Sequence, residues 1–170
     1  VYEMFIAPYN IEAPWDVRGV PGTYRFLSRV WNLTQEYIDA DKTNATGKSD
    51  EILTIAHRTI KKVTDDIEHD KFNTPISAMM EAVNSYYKLK DVQSFVSTDA
   101  WKFAIESLLQ ILAPFAPHLT EELWNQLGHE KTIHIDTWPA WDESYLHSTV
   151  ATIIIQVNGK LRGKIDIPVE

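Results

Sequence analysis

The sequence predicts a mainly α fold, a helical bundle followed by a C-terminal β-hairpin. Three observations carry this expectation. Apolar residues recur at helical spacing in successive stretches between Gly22 and Leu112. Helix-start signals punctuate them, at Pro21-Gly22, Ser49-Asp50-Glu51, Asn73-Thr74-Pro75 and Ser97-Thr98-Asp99. Finally, the β-branched run Ala151 to Val157 leads into Asn158-Gly159, a pair suited to a turn in which both positions need positive φ.

The first long helix is expected from Gly22 to about Ala40, where Phe26, Leu27, Val30, Leu33, Tyr37 and Ile38 share one side. A polar stretch, Asp41 to Ser49, follows. Ser49 provides a cap and Asp50 and Glu51 place acids at the positive end of a second helix, whose stripe is Ile52, Ile55, Ala56, Ile60, Val63 and Ile67. Burying each large member contributes ~1.5–3 kcal/mol, so this helix needs a packing partner. Thr74 as cap and Pro75 at the first helical position open a third helix, with Ile76, Met79, Met80, Val83, Tyr86 and Tyr87 on its apolar face. A fourth carries Trp101, Ala104, Ile105, Leu108 and Leu112. Pro114 and Pro117 end or kink it, and a short fifth helix starts near Pro117 and closes at Gly128. Thr132 to Tyr145 lacks periodicity and is expected to drape over the bundle, its tryptophans acting as packing anchors. In the return strand of the hairpin, the two-residue period sets Lys160, Arg162 and Lys164 on one face and Leu161, Ile165 and Ile167 on the other.

A chain of 170 residues has room to bury a core without disulfides or metal. Hydrophobic residues are 44% and charged residues 24%, and no run approaches the ~20 apolar residues of a membrane helix. Cysteine is absent, which excludes disulfides, thiolate metal sites and a cysteine nucleophile, and suits a cytoplasmic protein. The opening Val1-Tyr2-Glu3-Met4-Phe5 has neither an initiator methionine nor a signal-peptide pattern, and reads as a cut edge. A net charge of -8 argues against a nonspecific coat for nucleic acid, so any RNA contact must be local.

No catalytic or metal-binding residues are expected. The six histidines form no His-Glu-x-x-His pattern, there is no phosphate-binding glycine loop, and the adjacent pairs Asp65-Asp66 and Glu121-Glu122 point their carboxylates in different directions on a helix. The candidate nucleic-acid contacts are three basic clusters: Arg18, Arg25 and Arg29; Arg58, Lys61 and Lys62; and Lys160, Arg162 and Lys164. Arg25 and Arg29 lie one helical turn apart and can grip neighbouring phosphates, but pairing with Asp16, Glu12 or other acids accounts for such arginines equally well. The second cluster suits a solvated face. Tyr24 and Trp31 are the candidates for stacking on unpaired bases, against the commoner role of a tryptophan in a core.

Two segments, Lys71-Phe72-Asn73-Thr74-Pro75-Ile76-Ser77-Ala78-Met79-Met80 and Leu112-Ala113-Pro114-Phe115-Ala116-Pro117-His118-Leu119-Thr120-Glu121-Glu122-Leu123-Trp124, resemble the anticodon-binding bundle of class I aminoacyl-tRNA synthetases for leucine, isoleucine and valine. Two more, Gly19 to Trp31 and Gln156 to Ile165, resemble the bacterial leucyl-tRNA synthetase family in particular. Pro75, where that family often has alanine, and the polar loop 41–49 depart from the pattern. The resemblance implies a junction over 1–20, the anticodon-binding bundle over 21–130, a connector over 131–150, and over 151–170 a hairpin that begins a C-terminal domain. It further implies a parent enzyme that uses ATP with magnesium to join leucine to tRNA(Leu), with catalytic and editing domains lying elsewhere. The bundle's partners are then tRNA(Leu) and those domains, with no cofactor of its own, no membrane, a monomeric state and no ligation when isolated. A valyl or isoleucyl bundle, a free-standing helical RNA-binding or protein-interaction module, and a non-catalytic helical scaffold are the competing readings. Since leucyl enzymes need not read anticodon bases, the resemblance implies backbone contacts and no base readout.

Overall fold

The computed structural model describes residues 1–40, 49–93, 95, 98–146, 150–157 and 160–168, the last two segments through their backbone. Among these residues six α-helices occur: α1 (Tyr2–Phe5), α2 (Val20–Asp39), α3 (Ser49–Glu68), α4 (Asn73–Gln93), α5 (Thr98–Leu112) and α6 (Pro117–Gln126).

Helix α2 starts at Val20, two residues earlier than Pro21-Gly22 suggested. A proline in the first turn forfeits nothing, because the first N–H groups of a helix have no internal partner, and the Thr23 hydroxyl donates to the Val20 carbonyl at 2.9 Å. Phe26, Val30, Leu33 and Tyr37, spaced by four, three and four residues, are its buried apolar face. Helix α4 likewise begins at Asn73, before the expected cap Thr74, and Pro75 still falls within the first turn. The polar loop 41–48 lies outside the described residues.

The turn from α3 to α4 is held by Lys71 N–H donating to the Asp66 carbonyl at 2.8 Å, and it places Asp70 in the left-handed region at φ 57°. Because Cβ crowds the backbone there, Asp70→Gly is expected to raise stability by about 0.5–1 kcal/mol. Urea denaturation checks this; a loss instead would show that the Asp70 side chain makes a compensating contact.

Helix α5 is the centre of the bundle. Trp101, Ala104, Ile105, Leu108, Leu109, Ile111 and Leu112 are all buried, a wider face than the stripe read from sequence, because α3, α4 and α6 each pack on it. Trp101 meets Phe95 at 5.0 Å and Tyr86 of α4 at 5.7 Å, both edge-on, and Phe95 in turn meets Tyr37 of α2 at 5.6 Å. Pro114 ends this helix, and α6 restarts with Pro117 in its first turn. Gly128, at φ 96°, closes α6: its N–H donates to Asn125 O at 2.9 Å, and the His129 ring stacks on Trp124 at 3.7 Å.

The connector lies along the bundle with short 3₁₀ turns at Ile133–Ile135 and Glu143–Tyr145. Glu121 fixes its start, accepting from the Thr132 hydroxyl at 2.8 Å and Ile133 N–H at 3.0 Å, so this acid is a cap. Trp138 donates its indole N–H to the Thr64 hydroxyl at 2.8 Å while 38% of its surface remains exposed, so it is a partly wet anchor. Beyond it the backbone runs as β1 (Val150–Val157) and β2 (Lys160–Pro168), antiparallel, with Val150 opposite Pro168 and an irregularity between Ile155 and Gln156.

Candidate nucleic-acid interface

The structure separates the basic residues of the first two clusters into those bonded within the protein and those with no protein partner among the described residues. Arg18, just before α2, forks onto Asp16: its Nε lies 2.9 and 3.0 Å from the two carboxylate oxygens and Nη2 lies 2.7 Å away. Hydrogen bonds from the Arg18 side chain and its backbone N–H hold the Asp16 carboxyl below its ordinary range. The pair is exposed, so it adds little to stability.

Arg25 and Arg29 share a face of α2, as their spacing requires, but α4 packs against only one of them. Arg29 is half-buried; it donates to the Asn84 side-chain carbonyl and covers the Tyr87 ring at 4.5 Å, while Tyr87 OH donates to the Arg29 backbone carbonyl at 3.2 Å. Lys90 approaches the same ring at 4.5 Å and pairs with Glu36 of α2. Arg29 therefore ties two helices together. Arg25 is exposed, with no acidic partner among the described residues, and Tyr24 beside it is 71% exposed. Of the two stacking candidates, Tyr24 faces solvent and Trp31 is half-buried against the core.

On α3, Lys61 and Lys62 each bond the acid four residues on. Lys61 lies 3.0 Å from Asp65 and 5.0 Å from the centre of the Trp141 ring; the Asp65 hydrogen bond raises its pKa. Lys62 bonds Asp66, whose side chain is buried. These four residues form the i,i+4 pairs that stabilise a helix surface. Arg58 differs: it is exposed and has no carboxylate partner among the described residues. It lines, with Lys62, one wall of an open groove of about 600 Å³ between α3 and α4, faced by Ser77, Glu81 and Ser85. Helix α4 thus carries both Asn84, the partner of Arg29, and the residues that face Arg58 across the groove.

Lys160, Arg162 and Lys164 lie on β2, where Lys160 pairs with Val157 and Lys164 with Ile154; their side chains fall outside the described residues. Among the described residues no group of three metal-ligating side chains converges, and no helix is long and apolar enough to cross a membrane. Sequence reasoning missed His57, a buried histidine at the seam with the connector. Its place on the inner side of the helical stripe, one residue from Ala56, was the available signal.

Known proteins match this arrangement along nearly the whole chain. Leucine–tRNA ligases of Dehalococcoides mccartyi and Chlorobaculum tepidum are each 43% identical to it, over 98% and 99% of the chain respectively. That of Herpetosiphon aurantiacus is 39% identical over 96%. The chain spans 20% of the length of each of these relatives. Among solved structures, a LeuRS–tRNA–LeuAMS ternary complex from Agrobacterium radiobacter superposes with a TM-score of 0.77 at 29% identity, over 99% of this chain and 22% of that one. A family model for the anticodon-binding domain of tRNA ligases matches residues 49–170, from the first residue of α3 through both strands. The chain belongs to the anticodon-binding domain family of tRNA ligases.

Proposed function

We propose that this chain is the tRNA-holding helical part of a leucine–tRNA ligase, and that it positions tRNA(Leu) through the phosphate backbone while the ligation chemistry resides elsewhere in the polypeptide. One observation carries the reading: among Arg18, Arg25, Arg29, Arg58, Lys61 and Lys62, only Arg25 and Arg58 are exposed cations without a protein partner among the described residues. In a chain of net charge -8, two such arginines suit local contact with phosphates. Phosphate contacts fix orientation and register without reading sequence, and misplacing a reactive end by ~1 Å can cost ~10²-fold in rate. Exposed Tyr24 beside Arg25 adds a surface for an unpaired base. The similarity to leucine–tRNA ligases over nearly the whole chain supports leucine over valine or isoleucine, and the solved complex containing tRNA supports the ligand.

The same reading makes the parent a cytoplasmic, monomeric enzyme that uses ATP with magnesium in its catalytic domain. It leaves the isolated chain inactive, and makes the paired strands with Lys160, Arg162 and Lys164 the opening of a C-terminal domain. Arg29 is the residue that favours a partly structural role.

Titrating the 170-residue chain with fluorescently labelled tRNA(Leu) and a noncognate tRNA at two salt concentrations tests this reading. Weak, salt-sensitive binding is expected, and each lost phosphate contact should lower the slope of log affinity against log salt by about one. Arg25→Ala and Arg58→Ala should weaken binding with the fold intact, whereas Arg29→Ala should chiefly lower stability. Absence of binding at low salt, or binding indifferent to Arg25 and Arg58, overturns the proposal.

A further inference from the structure

Beyond the ties at Glu121 and Thr64, the last turn of the connector meets the bundle at one aromatic ring. His57 of α3 is 8% exposed and lies between Phe103 of α5, 4.7 Å away, and Tyr145 of the connector, also at 4.7 Å and within 20° of parallel. Its Nδ1 accepts a hydrogen bond from Asp142 N–H at 3.1 Å. Asp142 in turn accepts from Ser144 N–H at 2.9 Å, which closes the 3₁₀ turn carrying Tyr145. One ring thus supplies an apolar seat for Tyr145 and a polar tie for Asp142. An Nδ1 that accepts from a backbone N–H must be unprotonated, which puts the ring's single proton on Nε2. A second proton on Nδ1 would set N–H against N–H and would charge a ring that is buried, where desolvation disfavours the cation.

We propose that His57 is a proton-sensitive clasp, a positioning residue that fixes the connector on the bundle and so sets where the polypeptide beyond residue 146 departs. This inference rests on the ring's contacts and is independent of the RNA reading above.

The charged neighbours on the elements packed around the ring are Arg58 and Lys61 on α3, Lys102 and Glu106 on α5, and Asp142 and Glu143 on the connector. Lys61 is bonded to Asp65, Glu106 to His129, and Glu143 accepts from the Trp141 indole. Burial lowers the imidazole pKa below its ordinary 6.5, and the Asp142 charge offsets this in part. The neutral ring is therefore the form the closed clasp prefers. The clasp's contribution is complete above pH 6.5 and is lost as pH falls from there through the lowered value, since the open form binds the proton more readily.

Amide hydrogen exchange in the full chain tests the clasp, read at Asp142 to Leu146 and corrected for intrinsic rates, at pH 7.5 and 5.5. In the unsubstituted protein, protection there should fall at least ~3-fold between the two, each pH unit in the titrating window changing the closed-to-open ratio by up to ~10-fold. His57→Asn keeps an acceptor near the position of Nδ1 but does not titrate, so its protection should be flat with pH. His57→Phe keeps a ring and removes the acceptor, so the segment should be open at both pH values while α3 and α5 stay protected. Equal protection at both pH values in the unsubstituted chain overturns the proposal, as does the same pH dependence in His57→Asn. If His57→Asn does not fold, the NMR titration of the His57 ring decides: a midpoint below 6.5 that coincides with the loss of protection supports the clasp, and one at or above 6.5 sinks it.

Discussion

Replacing Trp101 with alanine is expected to remove about 3–5 kcal/mol of stability, a large share of the ~5–15 kcal/mol typical of a folded domain. Trp101 has 0% of its surface exposed and sits where α4, α5 and the segment holding Phe95 converge. Its removal vacates an indole-sized volume and dissolves two edge-on aromatic pairs, each worth about 0.5–1.5 kcal/mol beyond the area buried. Phe95 would also lose the surface that holds it on Tyr37, so the damage reaches α2. Trp101→Phe keeps a ring and should lose less. Urea denaturation followed by helical circular dichroism gives the number; a loss under about 1 kcal/mol for the alanine variant would mean that the bundle closes over the gap, contrary to the close packing of protein interiors.

Asp66→Ala is expected to lower stability by about 1–3 kcal/mol, because it strips partners from groups at the α3–α4 turn. Burial by itself would raise the Asp66 carboxyl. The hydrogen bond from Lys62 and the charges of Lys62 and Lys71 outweigh it, so the pKa falls below its ordinary 3.8. Lys62, whose side chain is 53% exposed, regains water when its partner goes, which keeps the cost below the ~3–5 kcal/mol of breaking a fully buried pair. A carboxyl lowered on folding contributes its stability above pH 3.8 and loses it as pH falls through the lowered value. The stability gap between the unsubstituted chain and Asp66→Asn should therefore be full at pH 6 and narrow in acid. A gap that stays constant from pH 6 down to pH 2.5 would contradict the assignment of a lowered pKa.

Most helix positions were legible from side-chain period, because Ile52, Ala56, Ile60 and Val63 can share only one neighbour on an α-helix. Pro117 and Gly128 marked the bounds of α6 for reasons confined to a few residues: a ring that fits the first turn and a backbone at φ 96°. Helices α2 and α4 start one or two residues before the point their sequence signals mark, since a proline in a first turn is compatible with several registers. Helix α1, four residues long, has too little pattern to be seen. For the candidate interface, spacing placed Arg25 and Arg29 on one side of a helix but could not show that α4 occupies the space beside Arg29. Which of two equivalent arginines becomes a strut and which stays free is decided by Asn84 and Tyr87, more than fifty residues away. Arg18 and the two lysines of α3 had their acids close by in sequence, and the structure joins them. His57 was hidden because its partner Asp142 lies 85 residues distant.

The family match begins at Ser49, yet the apolar face of α2 precedes it. Phe26, Val30, Leu33 and Tyr37 belong to the same buried cluster as Ile52, Trp101 and Leu123. A polypeptide trimmed to residues 49–170 would keep every position that the family model matches and still carry an open apolar trough along α4 and α6, of the kind that drives self-association. The segment that the family model matches and the segment that shares one buried cluster are different lengths of the same chain, and expression boundaries drawn from the first would cut through the second.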